Sequence, residues 1–259
     1  MTARARRSGW LGQHAAAEGL VMLAVLGWWW MSNSLSAMVL PSPVSVLKRT
    51  FDLFVDPELS RHALVTFLRV AGSVFISLVV GLALALLARR AQWIDAIVRD
   101  RILVALNALP SVGWAILALI WFKASTLSVM FVQVMILLPF AVTNFMEGLR
   151  NLDAEVVEMA HSFTRRRRAV FAKITLPMML PYGVAALRTS YGICWKIALV
   201  AELFGAQSGL GQLMLRAQAA ADATTVLATC FAIVVLFAAG QKLVIDPIAR
   251  AMRADLHQP

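Results

Sequence analysis

The chain has 259 residues, of which 60% are hydrophobic and only 15% charged, with a formal net charge of +10. A soluble domain carries about 25% charged residues, so one water-soluble core is excluded and an integral membrane protein is implied. In a soluble chain the basic excess would point to nucleic acid; here the placement of the charges assigns most of it to membrane topology, and nucleic acid is set aside as a partner.

A spanning helix needs roughly 20 mostly apolar residues, and about six stretches qualify. Read in chain order they are 19–40, 65–88, 102–122, 124–146, 177–202 and 223–245, within one transmembrane domain over 19–250 flanked by cytoplasmic tails at 1–18 and 251–259. The first run is longer than the roughly 7–15 residues of a signal-peptide core, so it reads as a retained helix. Its Trp28, Trp29 and Trp30 lie too deep for an interfacial belt and suit packing or lipid contact. After "PSPV" the segment from Arg49 to Val70 has helical apolar spacing and reads as a surface-lying stretch ahead of the second span.

In that second span Ser73, Ser77, Gly81 and Ala85 recur every four residues, a seam on which another helix can approach closely. The third, "ILVALNALPSVGWAILALIWF", is polar at Asn107 and Ser111 and interrupted by Pro110, either as a conduit wall or as a simple kink. The fourth carries Pro139 and Asn144. Cys194 and Cys230 fall inside spans and read as buried apolar thiols. No HExxH, Walker A, G-x-S-x-G or GxGxxG occurs, so no catalytic machinery is expected on this chain.

With the N-terminus inside, the inner segments hold Arg4, Arg6 and Arg7; Arg89, Arg90, Arg99 and Arg101; Arg150, Arg165 to Arg168 and Lys173; and Lys242, Arg250 and Arg253. The outer segments hold few cations, several offset by Asp52, Asp56 and Glu58. This asymmetry is the positive-inside pattern and places both termini in the cytoplasm.

The densest charge lies in "EMAHSFTRRRRAVFAKITLP", Glu158 to Pro177. Leu152, Val156, Met159 and Phe163 repeat at helical steps, while Glu155, Glu158 and Ser162 share another face. Asp153 and Glu155 suit the positive end of a helix dipole. Pro177 biases Leu176 away from helical geometry, which separates this hairpin (150–175) from the fifth span. From the residues alone the hairpin is either an interfacial helix with its arginines on anionic headgroups or a docking surface for a soluble partner.

The same segment resembles the EAA loop of permease subunits in binding-protein-dependent ABC importers. Glu158, Ala160, Ile174, Leu176 and Pro177 fall in the motif's register; Met159 replaces an alanine and Thr164 stands where glycine is usual. "NALPSVGWAILALIWF", "LPYGVAALRTSYGICWKIALVAELFGAQSGLGQLM" and "GQKLVIDPIAR" are similar to the nitrate/sulfonate/taurine branch. The resemblance implies an all-α integral membrane protein of the MetI-like permease fold, working as a homodimer. Its implied partners are two ATP-binding subunits, which hold ATP and Mg, an external solute-binding protein and membrane lipid. It places Glu155, Glu158, Met159, Ala160, Phe163, Thr164, Arg165, Arg166, Ile174, Leu176 and Pro177 at the ATPase contact.

A translocation path is expected along Asn107, Pro110, Ser111, Arg188, Trp195, Lys196 and Glu202. Arg188, Gly192 and Lys196 lie four apart on one face, with Trp195 beside them. They form either a cationic stripe for a small anion such as nitrate, taurine or an alkanesulfonate, or a bland arrangement in which Arg188 snorkels and Lys196 pairs with Glu202 or a neighbouring helix. No acidic residue is expected deep in any span. The "GAQSGLG" stretch reads as an external tight turn. A secondary transporter or a membrane-anchored assembly protein is the alternative to the importer.

Overall fold

The computed structural model describes residues 3–152, 154–164 and 166–255. In chain order the helices are α1 (Ala3–Ser34), α2 (Pro43–Val55), α3 (Pro57–Ala88), α4 (Gln92–Ile97), α5 (Val104–Ala108), α6 (Ser111–Phe122) and α7 (Thr126–Arg150). They continue as α8 (Ala154–Phe163), α9 (Arg167–Val170), α10 (Leu176–Gly205), α11 (Leu210–Ala219), α12 (Ala223–Gly240) and α13 (Asp246–Asp255). No strand occurs among the described residues.

Four uninterrupted helical runs are long and apolar enough to cross a bilayer: Pro57–Ala88, Thr126–Arg150, Arg168–Gly205 and Ala223–Ala251. A fifth is a broken pair, Gln92–Ala108 and Ser111–Phe122, bent by 87°. The break has a local cause. Pro110 pushes Leu109 out of helical geometry, leaving both residues extended, at ψ 126° and 154°. The expected first span is helical but is not among these runs; Glu18, the tryptophans and the polar Ser32–Asn33–Ser34 end dilute its apolar character.

The chain divides into two compact units. In the first, residues 1–60 and 214–232, α2 buries Pro43, Val46, Thr50 and Leu53 at three- and four-residue steps, one face of a helix. Ser42 caps it, accepting from the Ser45 N–H at 3.2 Å, and Pro43 at its start loses no helical bond. Trp28 donates through its indole N–H to the Pro41 carbonyl (3.0 Å) and stacks on Phe231 at 6.0 Å, while Trp29 and Trp30 stay exposed. The stretch from Arg49 to Val70 is two helices, not one surface helix. Asp56 is extended (ψ 125°) because Pro57 follows it.

The second unit, residues 61–213 and 233–259, holds α7 and α10 against each other at its centre, with α6 packed on both. At one end Val142, Phe145, Met146 and Met179 close against Ala85 and Ala88; towards the other, Val129, Val132, Ile197 and Ala201 close against Trp114 and Ala118. The small-residue seam is real. A Cβ on Gly81 would lie 2.7 Å from the Ala141 Cβ, so α3 and α7 touch backbone to backbone there. Ser73 on the same seam is fully buried and donates to the Gln133 side-chain carbonyl at 2.7 Å. Of the two thiols Cys194 is buried as expected, but Cys230 is exposed.

Helical runs pass through π turns at Val98–Leu103, Phe171–Thr175 and Gln241–Ile245. Two of them explain prolines that sequence rules would treat as breaks. Pro177 and Pro247 each follow such a turn; an α-helical proline ring clashes with the carbonyl four residues back, and the wider π turn relieves that clash without ending the helix. Leu176 is accordingly helical (φ −65°, ψ −46°), contrary to the expected break at Leu176–Pro177.

Candidate functional site

Two regions gather the expected functional residues. The first is the hairpin of α8 and α9. Glu155, Glu158, Met159 and Phe163 all face outward, Phe163 at 84% exposure, the highest of the large apolar side chains among the described residues, and Met159 at 56%. Ala160 is buried, and Val157 turns inward onto a cleft of about 420 Å³ with Leu86, Val170 and Phe171. Leu152 packs under the inner core.

The apolar face expected from spacing is therefore split. Its Leu152 end is absorbed by the chain's own core, while Met159 and Phe163 project beside the glutamates. Val157, between the two, is committed to the cleft. Thr164 accepts the Arg166 N–H on its hydroxyl (3.3 Å), which shapes the turn where the motif has glycine. Arg166 is exposed, Ile174 half-buried, and Leu176 and Pro177 exposed. Asp153 and Arg165 lie outside the described residues. From Arg168 the helix runs unbroken to Gly205, so the hairpin is joined to a spanning helix by continuous hydrogen-bonded backbone.

The second region is a buried polar cluster at the far end of α10. Glu202 is fully buried, and its carboxylate accepts from Arg69 (2.9 Å), from the Thr66 hydroxyl (2.9 Å) and from the Gly211 N–H (2.9 Å). Arg69 also donates to the Ser208 carbonyl (2.6 Å), the Ser208 hydroxyl (3.0 Å) and Thr126 (2.9 Å). Thr66 accepts the Leu210 N–H at 2.8 Å, and the His62 ring accepts the Gly209 N–H at 3.0 Å. Gly209 has φ +110°, and a Cβ there would run into the Glu202 carboxylate. The loop 206–209 is thus pinned by α3 and α10 through side chains, and only glycine fits at its tightest point.

Two expectations are corrected here. An acidic residue does lie within a span, and Glu202 pairs with Arg69, not with Lys196. His62, Thr66 and Arg69 are not among the expected site residues because the stretch from Arg49 to Val70 reads as surface-lying, although the expected second span (65–88) takes in the last two. Their seven-residue helical stripe of polar groups was the available signal. A buried charge is tolerated when it is paired and hydrogen-bonded; the Glu202 carboxylate is met by three donors, and of the Arg69 guanidinium only Nε lacks a partner.

The remaining path residues scatter. Asn107, exposed, donates to its own helix at Leu103 (2.9 Å), and it flanks the bend together with Pro110 and Ser111. Trp195 is buried in the core and faces away from Arg188 and Lys196. Those two remain on one exposed stripe of α10 with Gly192 between them, and Arg188 donates to Asp246 at 3.2 Å. Leaving a lysine in hydrocarbon costs about 2.5–3.5 kcal/mol, so this stripe has to face something other than lipid.

The chain is thus an all-helical, several-span membrane protein whose outward-turned hairpin is joined to a spanning helix by continuous backbone. The chain belongs to the family of binding-protein-dependent transport system inner membrane components, which matches residues 77–252. It is 28% identical to a Bacillus subtilis (strain 168) protein named for aliphatic sulfonates transport, SsuC, over 97% of this chain and 88% of that one. It is 28% identical to the formylaminopyrimidine transport permease protein ThiX of Halalkalibacterium halodurans, over 79% and 83% of the two chains. The taurine transport system permease protein TauC of Escherichia coli K12 is 24% identical over 74% and 72%.

Proposed function

We propose that this chain is the membrane half of an ATP-driven importer for a small solute of the organosulfonate kind, such as an alkanesulfonate or taurine. It works as a homodimer with two ATP-binding subunits, which carry ATP and Mg, and takes its solute from an external binding protein. Both termini and the hairpin lie in the cytoplasm, as the arginine distribution supports.

One observation carries the reading. Glu158, Met159 and Phe163 project from a short helix that continues, past one turn, into the unbroken run Arg168–Gly205. A carboxylate beside two exposed apolar side chains suits a protein groove, where the apolar pair anchors and the charge makes strong directional bonds. Closure of two ATPases would then displace α8 and, through it, α10. The relatives named for aliphatic sulfonates and taurine support the solute class, whereas the third is named for a formylaminopyrimidine.

The test is Glu158→Lys in the assembled complex. Membrane insertion and ATPase binding are expected to persist while ATP hydrolysis no longer drives uptake. Uptake at the parental rate would refute the coupling role. Co-purification of a Walker-motif ATPase with the tagged wild-type chain checks the assembly itself.

A further inference from the structure

We propose that Lys196 forms an anion subsite in the translocation path, where it takes the sulfonate group of the solute. The inference rests on the importer reading above and assigns the recognition of charge to one residue of this chain.

Lys196 is exposed on α10 and takes part in no ion pair among the described residues. It sits nine residues before Gly205, well inside the run Arg168–Gly205 that is apolar and long enough to span. One turn away, a Cβ added to Gly192 would meet nothing within 4 Å, so the helix surface is open beside the ammonium group. Ionisable groups in spans face cavities or partners, because hydrocarbon does not solvate them. The stripe therefore borders either water or another protein chain.

Among the described residues, the four long apolar runs of a second copy offer no unpaired carboxylate away from their ends to neutralise Lys196. In the four long apolar runs Glu58 and Glu147 lie in terminal turns. The two placed further in are already used: Glu202 by Arg69 at 2.9 Å and Asp246 by Arg188 at 3.2 Å. A second copy meeting this face through its α10 brings another Lys196 and no carboxylate beyond Glu202, which Arg69 already holds. Two uncompensated ammonium groups along one path favour a mobile anion between them, through Coulomb attraction strengthened by the low-dielectric surroundings. Trp195 and Tyr191 pack into the core on the opposite side of α10, so they do not shield the ammonium group.

The chemistry of such a site is that of a strongly hydrated point charge with three donors. It suits a monovalent tetrahedral oxyanion such as a sulfonate and gives no grip on a neutral solute. Arg188, two turns away and tied to Asp246, supplies a second cation that an arriving anion can compete for.

The test uses the full complex in nanodiscs and ethanesulfonate as the probe. Acetylation of the Lys196 amine by a neutral reagent, read by mass spectrometry of its peptide, should slow at least tenfold in saturating ethanesulfonate. It should not respond to ethyl methyl sulfone, an uncharged analogue. An unchanged rate, or equal protection by the sulfone, overturns the proposal. In proteoliposomes, Lys196→Met should slow ATP-driven ethanesulfonate uptake at least tenfold while Lys196→Arg stays within threefold of wild type. Full uptake by Lys196→Met, or equal loss in both variants, likewise overturns it. If the wild-type complex showed no ATP-driven uptake of any solute, the importer reading would fail, while amine protection would still decide the anion site.

Discussion

Arg69 and Glu202 stand 133 positions apart in the chain, yet Nη1 and Oε1 meet at 2.9 Å with both side chains closed off from solvent. Breaking one partner of such a pair strands a buried charge and costs about 3–5 kcal/mol, whereas replacing both by apolar groups is far less damaging. Arg69→Met and Glu202→Leu are each expected to lower the unfolding midpoint in detergent sharply, and the double variant should recover much of the loss. Simple additivity of the two would show that the groups do not act as a pair.

Gly81 is where α3 and α7 come closest. Gly81→Val inserts a branched side chain against Ala141, whose Cβ already sits 2.7 Å from the position of an added methyl group. Overpacking of this kind costs about 1–3 kcal/mol. Ala141→Gly in the same chain should restore part of that stability, measured by the same thermal unfolding; Ala141→Gly alone should not raise it.

Phe163 is expected to be a contact residue for the ATPase and not a fold residue. Truncation of an interface anchor typically costs 2 kcal/mol or more, about 30-fold in affinity at 1.4 kcal/mol per tenfold. Phe163→Ala should weaken ATPase binding by that order in a titration of the purified subunits. The unfolding midpoint of the isolated permease should not move, because a side chain 84% exposed contributes little to the core.

Asp222 caps α12: its carboxylate accepts the Thr225 hydroxyl at 2.6 Å and the Thr225 N–H at 3.0 Å. The Thr225 hydroxyl, more than any other group, holds its carboxyl below the ordinary aspartate range. A carboxyl whose folded pKa is depressed stabilises fully above its unfolded value, about 3.9, and loses that contribution as pH falls through the folded value. Asp222→Ala should therefore speed Thr225 amide exchange about fivefold at pH 7, a cap loss of about 1 kcal/mol, and make no difference well below pH 4. Asp222→Asn should keep the cap and remove the pH dependence.

Much of this protein is legible in one dimension. Runs such as Val70 to Ala88 are helices because backbone polar groups in lipid must be satisfied within the segment. The hairpin is located by its arginines and by the spacing from Glu158 to Pro177. Local rules failed where the helix changed its pitch. Pro177 reads as a stop, but the π turn at Phe171–Thr175 lets the helix continue, and nothing in the flanking residues announces a π turn. The hairpin's apolar stripe was also read as one face, although Leu152 and Val157 turn into the chain and Met159 and Phe163 turn out.

The sequence by itself determined the membrane-integral class, the helical runs and the place of the hairpin, because those follow from hydrophobicity and short-range spacing. Only the tertiary structure decided which charges are paired. Arg69 claims Glu202 and Arg188 claims Asp246, leaving Lys196 without a carboxylate among the described residues. Pairing of that kind depends on which helix faces lie against each other, and tertiary packing sets this between residues 133 positions apart for Arg69 and Glu202 and 58 apart for Arg188 and Asp246.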